Sequence, residues 1–196
     1  MRKVLALAVV LVAAAGVALA IELGAQAPAT DVKMKDVSGR MVSIADVRGE
    51  RGTLVMFSCN ACPWVKAWET RIAELGNRAP EMGIGVIVIN PNDPAKVAED
   101  SYEVMQERAR ERGFKFPYVV DDTSGVARAF GATRTPEVFL FDAAGKLVYH
   151  GAIDDNAREP EKVEKHYLAD ALRAVAAGQP IPVAETKALG CTIKWR

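Results

Sequence analysis

Cys59-Asn60-Ala61-Cys62-Pro63 carries two thiols separated by two residues. Two thiols at this spacing can close a small disulfide ring, and the species that attacks a disulfide is the thiolate. The pair follows an apolar run, Thr53 to Phe57, and precedes a stretch with helical spacing. It therefore falls at a strand-to-helix junction, where the free backbone N–H groups of the helix start favour a negative sulfur. In such pairs the N-terminal thiol is usually the exposed nucleophile, so the sequence assigns attack to Cys59 and resolution to Cys62. An inert structural disulfide and half of a metal site are the competing readings. Zinc normally takes four Cys/His ligands including a second closely spaced pair. The other candidates here, Cys191, His150 and His166, are scattered along the chain. No metal ligand is assigned, and disulfide exchange needs no cofactor.

Thr135-Pro136 stands directly before the apolar strand Glu137 to Phe141. A proline opening a strand serves as an edge or turn device, with a cis peptide as the special case. A cis-proline loop beside the disulfide would leave the Thr135 backbone free to pair with an extended substrate. Cys191 is an unpaired third thiol in the tail. It reads either as an idle thiol or as a third redox thiol that reaches the Cys59/Cys62 site. Trp64 and Trp68 lie four residues apart on the helix after the pair; both can pack on a sheet, and Trp64 can shape the rim where a substrate docks. Lys66, Glu69 and the run Glu107 to Gly113 read as solvated helix charges.

The elements that must position these groups alternate in type. Val32–Val37 and Met41–Ile44 read as a hairpin around Ser38-Gly39. Thr53–Ser58 and Ile84–Ile89 are continuous apolar strands of the kind covered on both faces. Pro63 suits the first turn of a helix running through Trp68, Ile72 and Leu75. A second helix is expected from Asn92-Asp93-Pro94 to about Arg112. Pro117–Val120 reads as a short strand, and Ser124–Phe130 as a short helix stopped by Gly131. Glu137–Phe141 and Lys146–His150 form a hairpin, Glu161–Ala177 a last long helix, and Pro180–Arg196 an irregular tail. This order implies an α/β domain with a central mixed sheet and helices on both faces.

The ends and the composition bound the rest. Arg2 and Lys3 precede an apolar stretch, Val4 to Ala20, that closes on Ala18-Leu19-Ala20. This matches a secretory signal peptide over residues 1–20, with a retained membrane anchor as the alternative. Either places the globular part across a membrane, and membrane contact follows only if the segment is retained. Gly24 to Thr30 reads as a linker within residues 21–30, followed by one domain over 31–180 and a tail over 181–196. The 25 Lys and Arg residues, less Arg2 and Lys3, leave 23 against 25 acidic residues, a net charge of −2. That excludes the basic surface of a nucleic-acid-binding protein. Three cysteines are too few for a disulfide framework.

A strand ending in the Cys59/Cys62 pair at a helix start, then Gly131-x-x-x-Thr135-Pro136-x-x-Phe139-Leu140-Phe141, resembles the thioredoxin fold over roughly Asp31 to Ala177. The extra strand and helix between Cys62 and Pro136 resemble the redoxin branch. That branch includes exported cytochrome-maturation-type thioredoxins and alkyl hydroperoxide reductase/thiol-specific antioxidant proteins. Phe57–Lys66 and Gly190–Trp195 resemble one redoxin subgroup. The resemblance implies a thioredoxin-like central mixed sheet with an N-terminal β-hairpin and an inserted βα unit. It also implies a cis Pro136 and a catalytic set of Cys59, Cys62, Thr135 and Pro136. The implied activity is that of an exported, periplasmic thiol–disulfide oxidoreductase acting on protein or small-molecule thiols and disulfides, with a redox partner to exchange electrons. A copper-binding metallochaperone and a thiol-dependent antioxidant peroxidase remain as alternatives. The chain departs from thioredoxin in having Asn60-Ala61 between the cysteines and Thr53 at the position of its buried acid. The peroxiredoxin pattern Pro-x-x-x-Thr/Ser-x-x-Cys fits neither cysteine: it would place its proline at Val55 for Cys62 or at Gly52 for Cys59.

Overall fold

A computed structural model describes residues 20–196. The segment expected to be a signal or anchor lies outside the described residues, apart from Ala20. The chain forms β1 (Met34–Asp36), β2 (Met41–Val42), β3 (Gly52–Phe57), α1 (Pro63–Arg78), β4 (Ile84–Asn90), α2 (Tyr102–Glu111), β5 (Tyr118–Val120), α3 (Gly125–Phe130), β6 (Arg134–Thr135), β7 (Glu137–Asp142), β8 (Leu147–Gly151), α4 (Tyr167–Ala177) and β9 (Cys191–Thr192). Seven strands make one sheet in the order β2-β1-β5-β4-β3-β7-β8. β3, β4 and β5 run parallel, while β7 lies antiparallel on β3 and β1 antiparallel on β5. The sheet is mixed, with the inserted β4–α2 unit at its centre.

Alternation along the central strands builds two cores. Leu54 and Met56 of β3, Val86 and Val88 of β4, and Val138 and Leu140 of β7 share one face. Trp68 and Ile72 of α1, Met105 of α2, and Leu168 and Leu172 of α4 cover it. Val55, Phe57, Ile87, Ile89, Phe139 and Phe141 point the other way. There they meet α3 through Val126 and Phe130, the N-terminal hairpin through Met34 and Val42, and the tail through Ile193. Phe130 stands edge-on to Phe57 and Phe139, ring centroids 5.2 Å apart in both pairs. Every residue of β3 is buried, as a strand sandwiched between two layers requires.

Three expectations about the elements are corrected. The helix expected from Asn92 begins only at Tyr102, because Asp93 and Pro94 form a turn: Asp93 Oδ1 accepts from the Ala95 amide at 3.0 Å, and Ser101 caps the helix. The last helix begins at Tyr167 rather than Glu161. Its approach is tied to the preceding loop, with the Asp155 amide donating to the Lys165 carbonyl (3.2 Å) and the Leu168 amide to the Ile153 carbonyl (3.0 Å). The 21–30 stretch, read as a linker, is laid against the domain. The Gly24 amide donates to the Leu147 carbonyl (2.8 Å), and the Ile21 amide to Phe130 (3.1 Å).

Candidate active site

The first turn of α1 explains where the sulfurs lie. Pro63 takes the first helical position, so Cys62 becomes the N-cap, in extended backbone conformation. Cys59 stands three residues earlier, just beyond the end of β3. A buried polar network fixes the loop between them. The Asn60 amide donates to Asp100 Oδ1 (2.6 Å), Asn60 Nδ2 to the Glu99 carbonyl (2.8 Å), and the Tyr118 hydroxyl to Asn60 Oδ1 (2.9 Å). Asn92 Nδ2 donates to Asp100 Oδ2 at 2.8 Å, so both carboxylate oxygens are used.

From the other side comes the loop between β6 and β7. The Thr135–Pro136 peptide is cis. The Cys62 thiol lies 3.1 Å from the Thr135 carbonyl oxygen, and Cys59 Sγ lies 3.0 Å from Thr135 Oγ1. Glu137 holds this loop: its Oε2 accepts from the Thr133 amide (2.9 Å) and the Arg134 amide (3.0 Å), and its Oε1 pairs with His150 Nε2 (2.8 Å). His150, weighed as a ligand from sequence, thus braces the proline loop. His166 is the residue before α4.

Cys191 joins them. Its Sγ is 2.7 Å from Cys62 Sγ, and the strand carrying it, β9, pairs antiparallel with β6 so that Cys191 faces Thr135 and Thr192 faces Arg134. The sequence reading set out an irregular tail; this short strand is the exception. Cys59, Cys62, Thr135, Pro136 and Cys191 therefore come together. Trp64 is half-buried in the same first turn, 5.9 Å from Trp68 between ring centroids, with the Arg158 guanidinium 5.7 Å from its ring.

The three thiols divide one negative charge. A hydrogen bond from Cys59 pulls the Cys62 thiol down to about 5, with Cys191 and the backbone amides of Val65 and Cys191 adding to it against the cost of burial. Cys59 moves the opposite way, because it is the donor to Cys62, is buried, and feels the Asp100 carboxylate. Burial first and then the neighbouring Cys62 raise Cys191 to about 11. Of the three thiols, Cys62 is the one whose ionised form the site favours.

Glu69 corrects another expectation. It is buried, with its carboxylate between Arg108 (3.3 Å) and Arg112 (2.7 Å) of the run read as solvated. Sequence reasoning missed Asp100, Tyr118 and Glu137. The one signal for Asp100 and Tyr118 was that Asn60, between the cysteines, needs partners once buried; Glu137 carried none.

Residues 23–150 match the AhpC/TSA family. The chain belongs to that family. A thiol–disulfide oxidoreductase ResA of Geobacillus thermodenitrificans is 28% identical over 132 residues, 65% of this chain and 68% of that protein. An uncharacterized conserved protein of Geobacillus kaustophilus is similar in structure at a TM-score of 0.82 and 36% identity, covering 89% of this chain and 93% of the other. A thioredoxin-like protein solved in its oxidized form aligns at a TM-score of 0.66 and 19% identity over 81% of this chain and 99% of its own. That last likeness concerns the fold alone, and the fold is thioredoxin-like.

Proposed function

We propose that this AhpC/TSA-family chain is an exported thiol–disulfide oxidoreductase in which Cys62 attacks and Cys59 resolves. The roles are the reverse of those expected from order in the sequence. The observation that carries the reading is the position of Cys62 at the N-cap of α1, where its pKa is depressed. The Cys62 thiolate attacks one sulfur of a substrate disulfide; that bond breaks and the other substrate sulfur leaves as a thiolate. Cys59 loses its proton and attacks Cys62 Sγ, a Cys59–Cys62 bond forms, and the second substrate thiolate is released. The substrate gains two electrons and the pair loses two. A redox partner restores the dithiol. The name of the Geobacillus thermodenitrificans relative supports the activity. The N-terminal Arg2-Lys3 and the apolar stretch to Ala20 support export across a membrane.

The test is reversible oxidation of the Cys191→Ser variant in glutathione buffers, with trapping of free thiols. We expect loss of two thiols as Cys59–Cys62, full recovery with dithiothreitol, and abolition of insulin-disulfide reduction in Cys62→Ser. A variant whose thiols do not titrate reversibly overturns the exchange mechanism.

A further inference from the structure

The edge of β6 is the place where the proposed mechanism would seat an extended substrate, and the chain's own tail already lies there. Gly190 packs so closely on Thr135 that a Cβ would run into its carbonyl oxygen. Arg134 Nη1 donates to the Gly190 carbonyl at 3.0 Å. Cys191 is then presented to Cys62 as a bound substrate cysteine would be, 2.7 Å from its sulfur, and Cys62 keeps only 3% of its surface exposed. This is a small side-chain movement from a bond.

Both flanks of the segment are tied down. Upstream, the Thr186 amide donates to the His150 carbonyl (2.9 Å), and the His150 amide to Ala184 (3.0 Å). Downstream, Ile193 is buried with its amide on the Thr133 carbonyl (3.0 Å). The Lys194 amide meets Asn92 Oδ1 at 2.8 Å, and the Arg128 guanidinium sits 4.6 Å over the Trp195 ring. The thiol is thus held at high local concentration, as an intramolecular competitor to any external thiol.

We propose that Gly190–Thr192 is a built-in occupant of the substrate edge, and that Cys191 is a third redox thiol that clears adducts from Cys62 by forming a Cys62–Cys191 disulfide. This rests on Cys62 being the attacking thiolate. A substrate strand lifts the segment to reach Cys62, and the segment returns once the mixed disulfide has formed. Cys191, deprotonated to solvent, attacks Cys62 Sγ; the Cys62–Cys191 bond forms, the bond from Cys62 to the substrate breaks, and the substrate leaves as a thiolate that takes up a proton. Two protein thiols are oxidised and one substrate disulfide is reduced. Cys59 can then attack Cys62 in turn, giving Cys59–Cys62 and returning Cys191 as a thiol. The electrostatics time the step. Part of what raises the Cys191 pKa is the Cys62 thiolate, and that charge disappears when Cys62 is in a mixed disulfide.

The experiment uses the full chain with glutathione disulfide as the probe. Reduced Cys59→Ser and Cys59→Ser/Cys191→Ser proteins are exposed to it, quenched in acid, alkylated and mapped by mass. The relevant tryptic peptides are 52–66 and 188–194. We expect the single variant to lose two thiols and to give these two peptides linked through Cys62 and Cys191. The double variant should stop at a glutathione adduct on Cys62. A lasting adduct on Cys62 in the single variant, with Cys191 free, overturns the role of Cys191 and leaves Cys62 as the nucleophile. No adduct in the double variant overturns the assignment of Cys62 itself.

Discussion

The assignment of the thiolate to Cys62 can be tested by titration, and the magnitude follows from the site. A thiol with the ordinary value near 9 is about 1% ionised at pH 7, whereas one at about 5 is about 99% ionised. That hundredfold gain is mostly offset at pH 7, because a thiolate four units less basic is roughly 60-fold less nucleophilic at a Brønsted slope near 0.45. The net advantage at neutral pH is roughly twofold and says little. At pH 5 the ordinary thiol is about 0.01% ionised and Cys62 about half, so the advantage grows to roughly eighty-fold. The measurement is therefore the ultraviolet absorbance of thiolate in the reduced protein from pH 4 to 10, with Cys62→Ser subtracted. This needs no reagent to enter a buried site. We expect a step centred near 5, and glutathione-disulfide consumption at pH 5 that disappears in Cys62→Ser. Cys59→Ala should move the step upward, since the hydrogen bond from Cys59 is the largest cause of the shift. A step near 9, or one that vanishes in Cys59→Ser instead, refutes the reasoning.

Three further outcomes follow. Gly190→Ala forces a Cβ against the Thr135 carbonyl and should weaken docking of the tail by about 1.4 kcal/mol, so that Cys62 alkylates roughly tenfold faster; an unchanged rate would show that the tail does not cover it. Asp154→Ala leaves the Trp68 indole N–H (2.7 Å to Asp154 Oδ1) without its acceptor and the largely buried Arg71 guanidinium without its counter-charge, and should cost about 3 kcal/mol by urea denaturation; a loss below about 1 kcal/mol would mean that water takes over from the carboxylate. Asp100→Ala orphans the Asn60 amide and removes a negative neighbour of Cys59. It should lose about 2 kcal/mol of stability by urea denaturation; an unchanged midpoint would show that the Asn60 amide finds another acceptor.

The layers of this fold were legible in the sequence because they rest on local rules. The continuous apolar run that becomes β3, Pro63 at a helix start and Gly131 after Phe130 each carry their own physics, and all stand where expected. Of the misjudged boundaries, the start of α2 was decided by the local turn at Asp93-Pro94, and the start of α4 by distant partners. Glu161 to Lys165 has the composition of a helix, but its backbone is spent on the loop at Asp155. Glu69 reads as a solvated charge until α2 places Arg108 and Arg112 over it. The same holds at the site. That two cysteines would meet a Thr-Pro loop could be expected from spacing and resemblance. Which cysteine sits at the helix start depends on whether the helix begins before or after Cys62, a matter of one turn that Pro63 settles only once the loop is seen pinned by Asp100. Glu137 is invisible in sequence because the loop amides its Oε2 holds, those of Thr133 and Arg134, carry no residue signature.

The arrangement follows from electrostatics as much as from packing. Three thiols crowd around one residue, Thr135, and a site this buried can hold one negative sulfur, not three. The helix start and the hydrogen bond from Cys59 fix that charge on Cys62. Whatever bonds to Cys62 removes it, and the penalty that kept Cys59 and Cys191 protonated falls at that moment. In the proposed mechanism a resolving thiol is therefore generated only after it has something to resolve. Until then burial and the neighbouring Cys62 keep Cys59 and Cys191 protonated. In the proposed mechanism the order of ionisation, together with the return of the Gly190–Thr192 segment, separates attack from resolution. The strand edge that admits substrate and the tail that covers it compete for the same backbone at Arg134 and Thr135.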